Sequence, residues 1–302
     1  MKKKYLSPFK MSIIGVGLIG GSFGLALKKK RLVQQVIGIG RHIHKLKEAK
    51  RLGAIDSYTT DFKQGVRNSD IVMIATPVSR IPLIVKKILP HLKDGCIITD
   101  VGSTKGWVVK KVQEILSKSS GRGRKPKVSF IGGHPMAGSE REGVRNANAD
   151  IFSGTTCMLT PANRDGRKAV KVVEDLWRGV GAKILLLEPE EHDFLVAYTS
   201  HLPHVLATTL ANLMGKVCRE DPRGSRIIAG SISDMTRIAV SNPEMWIDIC
   251  LSNSAAISES INAIVKQLEK FKRLMGKKRK KELVDIFQKG RLERRKLIGP
   301  KI

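Results

Sequence analysis

The sequence predicts a doubly wound α/β fold, a parallel sheet with helices on both faces, followed by an all-helical second half. Three observations carry that prediction. Short, near-continuous apolar runs alternate with helical segments through the first half; a glycine-rich turn joins the first run to the first helix; and from Pro189 the pattern changes to long helical periods. A strand covered on both faces has no polar side, so its sequence reads as unbroken Val, Ile and Leu rather than as alternation.

Lys10 to Ile14 reads as the first strand and Phe23 to Lys30 as the first helix, with Gly15-Val16-Gly17-Leu18-Ile19-Gly20 between them. In that setting GxGxxG has a physical meaning. Gly15 allows the tight turn, Gly17 lets a pyrophosphate approach the backbone, and Gly20 lets helix and strand pack closely. Leu18 and Ile19 complete the cradle at a helix N-terminus that favours anions. The second strand, Val36 to Ile39, ends about 20 residues after this turn, where a carboxylate ordinarily takes the ribose hydroxyls. Gly40 and Arg41 stand there instead. A missing carboxylate removes repulsion toward a ribose 2′-phosphate and an arginine can pair with it, so NAD and NADP are both candidate cofactors, with acceptance of NADP favoured.

A helix over His44 to Leu52 precedes a third strand, Ile71 to Ala75, which stops at Thr76-Pro77. The fourth, Cys96 to Thr99, stops at Asp100, and a helix starts near Thr104. A polar loop from Ser117 to Lys127 leads to a strand over Val128 to Ile131 and then to His134, set in a glycine-bounded, proline-followed turn. Strands at Thr156 to Thr160 and Lys183 to Leu187 complete the sheet, so the expected domains are a dinucleotide-binding domain over 1–188 and a helical domain over 189–302. In the helical half, Ile257, Ile261, Ile264, Val265, Leu268, Phe271 and Leu274 recur at spacings of three and four, one wide apolar stripe that needs a partner surface.

In parallel sheets of this kind ligands bind beyond the carboxyl ends of the strands. The glycine turn, Gly40 with Arg41, Thr76, Asp100 to Ser103, and His134 all fall at such ends and so converge on one crevice. That convergence marks Thr76 and Asp100 as cofactor-side residues and His134, which titrates near neutrality, as a candidate general base. Thr76, Asp100 and Ser103 have a second reading as helix caps. His201 and His204 lie three apart, but no third ligand or HExxH pattern accompanies them and no metal is expected. Arg237 and Trp246 sit in polar surroundings suited to an anionic ring compound.

The 302 residues carry a formal net charge of +28 with only 5% aromatic residues. Such a charge is compatible with a nucleic-acid binder, but no recognition motif is present and the lysines are spread along the whole chain, so nucleic acid is not expected as the main partner. Four scattered cysteines form no close pair, and no run of about 18 apolar residues occurs, which excludes a disulfide framework and a membrane span. A cytoplasmic location is expected.

Gly15 to Ser22, Asp100-Val101-Gly102-Ser103-Thr104-Lys105, Gly133-His134-Pro135-Met136-Ala137-Gly138-Ser139-Glu140, Ser200-His201-Leu202-Pro203-His204 and Asp234-Met235-Thr236-Arg237 through Trp246 together resemble the prephenate/arogenate dehydrogenases of tyrosine biosynthesis. The resemblance spans nearly the whole chain. It implies a Rossmann domain followed by an all-helical dimerisation domain, a homodimer, and a substrate site between the domains. It further implies that His134 hydrogen-bonds the substrate's ring hydroxyl, that Ser103 orients it, that Arg237 binds a substrate carboxylate, and that Glu140, His201 and Trp246 border the pocket. The expected reaction is oxidative decarboxylation of prephenate to 4-hydroxyphenylpyruvate, or of arogenate to tyrosine, with hydride transfer to NAD or NADP. The chain departs from the NAD-type pattern at Gly40. Another Rossmann hydroxyacid dehydrogenase is the rival enzyme reading; those enzymes usually rely on a catalytic lysine in the helical domain.

Overall fold

Strand β1 (Lys10–Ile14) is buried from Met11 onward and starts a sheet whose remaining strands are β2 (Gln35–Ile39), β3 (Ser57–Thr59), β4 (Ile71–Ile74), β5 (Ile97–Asp100), β6 (Ser129–Pro135), β7 (Thr156–Pro161) and β8 (Lys183–Leu186). The computed structural model describes residues 9–118, 126–138, 141–162 and 166–298. The strand order is β3-β2-β1-β4-β5-β6-β7-β8. Because the order reverses between β1 and β4, the loops leaving these two strands diverge, and a crevice opens at their carboxyl ends.

Side chains alternate across this sheet, and each face collects its own helices. Met11, Ile13, Ile71, Met73 and Ile131 join one apolar cluster with α1 (Leu18–Lys30), α2 (Ile43–Arg51) and α6 (Arg167–Gly179). Ile14, Val72, Ile74, Ile98 and Phe130 join the opposite one, with α3 (Phe62–Val66), α4 (Ile81–Ile88) and α5 (Gly106–Lys118). Trp177 of α6, fully buried, meets Phe23 at 4.4 Å and Phe152 at 5.2 Å between ring centroids. Contacts of this kind add about 0.5–1.5 kcal/mol per pair beyond area burial and tie α1 to α6.

Three features differ from the sequence expectation. The short edge strand β3 escaped notice because its three residues are half-buried and carry no apolar run. The sheet is not parallel throughout, since β7 runs antiparallel to β6, with His134 opposite Met158. Among its described residues the segment between them holds a 3-10 turn at Val144–Asn146 and no crossover helix, and the chain returns in the opposite direction. Strand β6 also continues past Ile131 through Gly132, Gly133 and His134 to Pro135, which puts His134 within a strand rather than in a turn. The glycines are there for close approach. A Cβ at Gly132 would lie 2.4 Å from the Thr160 hydroxyl oxygen, and one at Gly133 2.7 Å from the Asp100 carbonyl oxygen.

The chain divides into compact units spanning 1–254 and 255–302. Beyond the sheet, the first unit carries α7 (Pro189–Val196), a π-helical turn (Ala197–His201), α8 (Leu202–Glu220), α9 (Arg223–Arg226), α10 (Gly230–Thr236), a 3-10 turn (Arg237–Val240) and α11 (Pro243–Ser252). The second holds most of α12 (Ser254–Gly276), which bears the apolar stripe, and all of α13 (Lys280–Ile298). Phe271 and Phe287 pack edge to face between these helices at 5.7 Å.

Candidate active site

Gly15 leaves β1 at φ +94° with its N–H on the Ile39 carbonyl at 2.9 Å; a Cβ there would stand 2.3 Å from the Ala75 carbonyl oxygen. Only glycine meets both demands. Helix α1 then starts at Leu18 with Gly17 as its N-cap, no side-chain cap and no acidic residue in the first turn. A Cβ at Gly17 would meet nothing within 4 Å. An uncapped helix N-terminus facing open space, with no carboxylate to repel an anion, fits a dinucleotide's pyrophosphate. Gly40 follows β2 and Arg41 beside it is exposed, while Thr76 is half-buried after β4.

At the carboxyl ends of β5 and β6 lies a buried ion pair. The Lys105 ammonium contacts the Asp100 carboxylate, and both side chains are 0% exposed. Lys105 also donates to the Gly133 carbonyl at 2.9 Å, and Asp100 accepts from Gly102 N at 2.8 Å and Gly133 N at 3.1 Å. The Asp100 carboxylate thus joins β5 to β6 next to His134 and has no surface left for a ligand. Helix α5 is capped from far away in sequence, because Asp193 on α7 accepts from Lys105 N at 2.7 Å and Gly106 N at 2.9 Å. Neither Asp100 nor Ser103 holds that helix end.

Asp193 also contacts His192 Nδ1 at 2.8 Å, and His192 Nε2 lies 2.8 Å from His134 Nδ1. A continuous chain of short contacts therefore runs from the α5 N-terminus through Asp193 and His192 to His134. Burial, then His192, Lys105 and His201, hold the His134 pKa well below 6.5. Burial lowers His192 too, opposed by its bond to Asp193, and takes His201 down to about 4. These imidazoles are neutral at physiological pH, the state in which one can accept a proton.

The opposite wall comes from the helices. Asn253 donates its amide N–H to the Asp193 carbonyl at 2.8 Å and to His201 Nδ1 at 3.2 Å. With Nδ1 accepting, neutral His201 carries its proton on Nε2, a buried nitrogen without a partner among the described residues. The Trp246 indole N–H is likewise buried and has no partner among the described residues, and its ring stands edge-on to His201 at 6.0 Å. Trp246 stacks on His204 at 3.7 Å beside a cavity of about 330 Å³ lined by both rings together with Thr208, Ile238, Ser241 and Cys250. Two orphaned donors near an apolar cavity suit a substrate with polar groups on an unsaturated ring.

The family described as prephenate dehydrogenase, nucleotide-binding domain, matches residues 23–186, and the corresponding dimerization domain matches residues 188–289. The chain belongs to the prephenate dehydrogenase family. It is 34% identical over 278 residues to the prephenate dehydrogenase of Bacillus subtilis (strain 168), covering 91% of this chain and 72% of that protein. Among solved structures, the prephenate dehydrogenase of A. aeolicus in complex with hydroxyphenyl propionate and NAD+ aligns with a TM-score of 0.86 at 31% identity, covering 97% of this chain and all of that one. Arogenate dehydrogenase of Synechocystis aligns at a TM-score of 0.81 and 25% identity, covering 96% and 100% of the two chains. The family model that matches most of the sheet domain is that of a nucleotide-binding domain.

Within this prephenate dehydrogenase fold, Gly15, Gly17, Leu18, Ile19 and Gly20 form the glycine turn and the first turn of α1. Ser103 is half-buried on the loop between Asp100 and Lys105, and Arg237 is exposed at the start of the 3-10 turn, next to Ile238 in the cavity wall. Glu140 lies outside the described residues. His192 and Asp193 escaped the sequence reading, and Lys105 stood in a quoted motif without a role of its own. His192 and Asp193 follow Pro189-Glu190-Glu191, which reads as an ordinary acidic helix start, and only the packing of α7 on α5 gives them a role. Lys105 is one lysine in a lysine-rich chain, and its complete burial has no signature in the sequence.

Proposed function

We propose that the chain oxidatively decarboxylates prephenate to 4-hydroxyphenylpyruvate. The observation that carries this is His134, buried and neutral at the carboxyl end of β6 and held through its Nδ1, in a chain of the prephenate dehydrogenase family. The dinucleotide, when bound at the glycine turn, supplies the acceptor for the hydride leaving the hydroxyl-bearing ring carbon. Loss of the ring carboxylate as carbon dioxide makes the ring aromatic, so much of the driving force resides in the substrate. The chain has to position and to manage one proton: His134 takes the hydrogen bond, then the proton, of the ring hydroxyl as the hydride leaves and returns it to the ring oxygen once carbon dioxide has departed, and Ser103 orients that hydroxyl. His201 and Trp246 border the substrate pocket, and Arg237 pairs with a carboxylate.

Prephenate, rather than arogenate, is the substrate read from the relatives above, and NADP is accepted alongside NAD. Gly40 offers no carboxylate to repel a 2′-phosphate, and the exposed Arg41 beside it supports this reading as a cation that can pair with one. The functional boundary is assigned near residue 188, a reading supported by a nucleotide-binding match that ends at 186 and a dimerization match that begins at 188, although the compact units divide after residue 254. Homodimerisation is supported by the dimerization-domain match and by exposed apolar residues on α12 and α13, among them Leu268, Met275 and Phe287. No helix among the described residues is long and apolar enough to cross a membrane. The test is reduced-cofactor absorbance with prephenate or arogenate and NAD or NADP, on wild type and His134→Asn. The variant lowers turnover by about 10²–10⁴ with cofactor affinity little changed. Wild-type turnover in the variant, or no turnover of prephenate by the unaltered protein, overturns the proposal.

A further inference from the structure

We infer that Asp193 and His192 act as positioning residues that fix the tautomer of His134, leaving its Nε2 unprotonated and ready to accept. Asp193 receives two backbone N–H groups, from Lys105 and Gly106, and these can only donate. Its carboxylate is therefore the acceptor in this cluster, and the 2.8 Å contact to His192 Nδ1 places the proton on that nitrogen. A neutral imidazole has one N–H, so His192 Nε2 carries a lone pair. The 2.8 Å contact between His192 Nε2 and His134 Nδ1 then has one arrangement left: His134 Nδ1–H donates and His192 accepts. The single proton of neutral His134 is thereby used, and its Nε2 is bare.

The opposite tautomer would put an N–H where the substrate hydroxyl must lose its proton, turning a base into a competing donor. Both rings are deeply buried, so neither exchanges tautomers freely through bulk water. The titratable groups facing His134 are Asp100 on β5, Lys105 before α5, Cys157 on β7, His192 and Asp193 on α7, and His201 on the π-helical turn. Of these, only His192 contacts a ring nitrogen of His134 among the described residues. The anchor is also stiff, because the carboxylate that starts the relay caps a thirteen-residue helix, α5.

The inference rests on reading His134 as the hydroxyl's acceptor, yet the tautomer is measurable without substrate or cofactor. Imidazole ¹⁵N shifts of histidine-labelled protein, assigned by single substitution among the seven histidines, report each nitrogen as protonated or bare at neutral pH. The expected wild-type result is a protonated Nδ1 and a bare Nε2 at His134. His192→Leu removes the acceptor, allows Nε2–H, and lowers kcat about 10²-fold with KM for prephenate within about threefold. His192→Gln, whose amide can turn oxygen toward His134 and NH₂ toward Asp193, restores the bare Nε2 and most of the rate. A structural role alone would not distinguish leucine from glutamine in this way. A protonated Nε2 in the wild type overturns the inference, as does a leucine variant whose tautomer and kcat both match wild type. Should the leucine variant fail to fold, the wild-type spectrum and the glutamine variant decide: a glutamine variant without a bare Nε2 or without most of the rate also overturns it. A bare Nε2 together with full turnover by His134→Asn leaves the tautomer assignment standing and sinks the proposed role of His134.

Discussion

Replacing Lys105 by methionine keeps much of the volume of its stem and removes the charge, which isolates the buried ion pair. In the variant the Asp100 carboxylate retains two backbone donors, Gly102 N at 2.8 Å and Gly133 N at 3.1 Å, and the Gly133 carbonyl loses the ammonium at 2.9 Å. With both side chains 0% exposed, water cannot replace the lost partner without opening the β5–β6 junction. Breaking a buried pair from one side costs about 3–5 kcal/mol, because a desolvated charge is left behind. At about 2–4 °C of Tm per kcal/mol for a domain of this size, the melting temperature falls by about 6–20 °C. The assay is calorimetry or urea titration of wild type, Lys105→Met, Asp100→Asn and the double variant. The double variant, with neither charge, should be more stable than the sum of the singles implies by about 1–3 kcal/mol. A methionine variant within about 1 kcal/mol of wild type, or strict additivity, refutes the account of the pair.

Arg237→Ala raises the KM for prephenate about tenfold or more, while Lys at this position recovers part of it, because a guanidinium pairs with a carboxylate through two parallel bonds. Steady-state kinetics with a melting curve check this, and a change under about twofold marks Arg237 as a solvated side chain. Gly40→Asp shifts cofactor preference toward NAD by restoring a ribose contact; its Cβ meets Leu46 at 3.3 Å, so a small movement of that leucine accompanies it. An unchanged ratio of kcat/KM for NAD and NADP contradicts the assignment. Stability falls on acidification below about pH 6.5. His134, His192 and His201 are depressed in the folded protein, chiefly by burial, so the unfolded chain binds protons that the folded one refuses. The loss runs from 6.5 down toward the folded values, about 4 for His201, at up to about 1.4 kcal/mol per pH unit for each histidine. Urea midpoints at about pH 7.5 and 5.5 test it, and equal midpoints disprove it.

Local pattern was enough for most strands of the sheet and for the glycine turn, but not for the edge strand β3. Unbroken runs such as Ile71 to Ile74 mark strands covered on both faces, since burial on both sides removes any reason for a polar residue. Gly15, Gly17 and Gly20 are legible because their spacing between a strand and a helix is a local pattern, although the atom that bars a Cβ at Gly15 is the distant Ala75 carbonyl oxygen. The α12 stripe is legible because helical periodicity is a local property. His134 was recognisable as a candidate from the convergence of strand ends. The reason for the glycines beside it was not, because their neighbours Thr160 and Asp100 come from other strands.

The sequence by itself determined the α/β class, the change to helices near Pro189 and the crevice at the strand ends, all of which follow from periodicity and turn chemistry. Only the tertiary structure decided the antiparallel return of β7, the burial of Lys105 against Asp100, and the joining of Asp193, His192 and His134 into one hydrogen-bonded chain. Asp193 lies 88 residues from the backbone nitrogen it caps, and His192 lies 58 residues from His134. Contacts at such separations are set by how helices pack on a sheet. No local preference of a His-Asp pair in an acidic helical turn distinguishes a proton-directing relay from a solvated helix start.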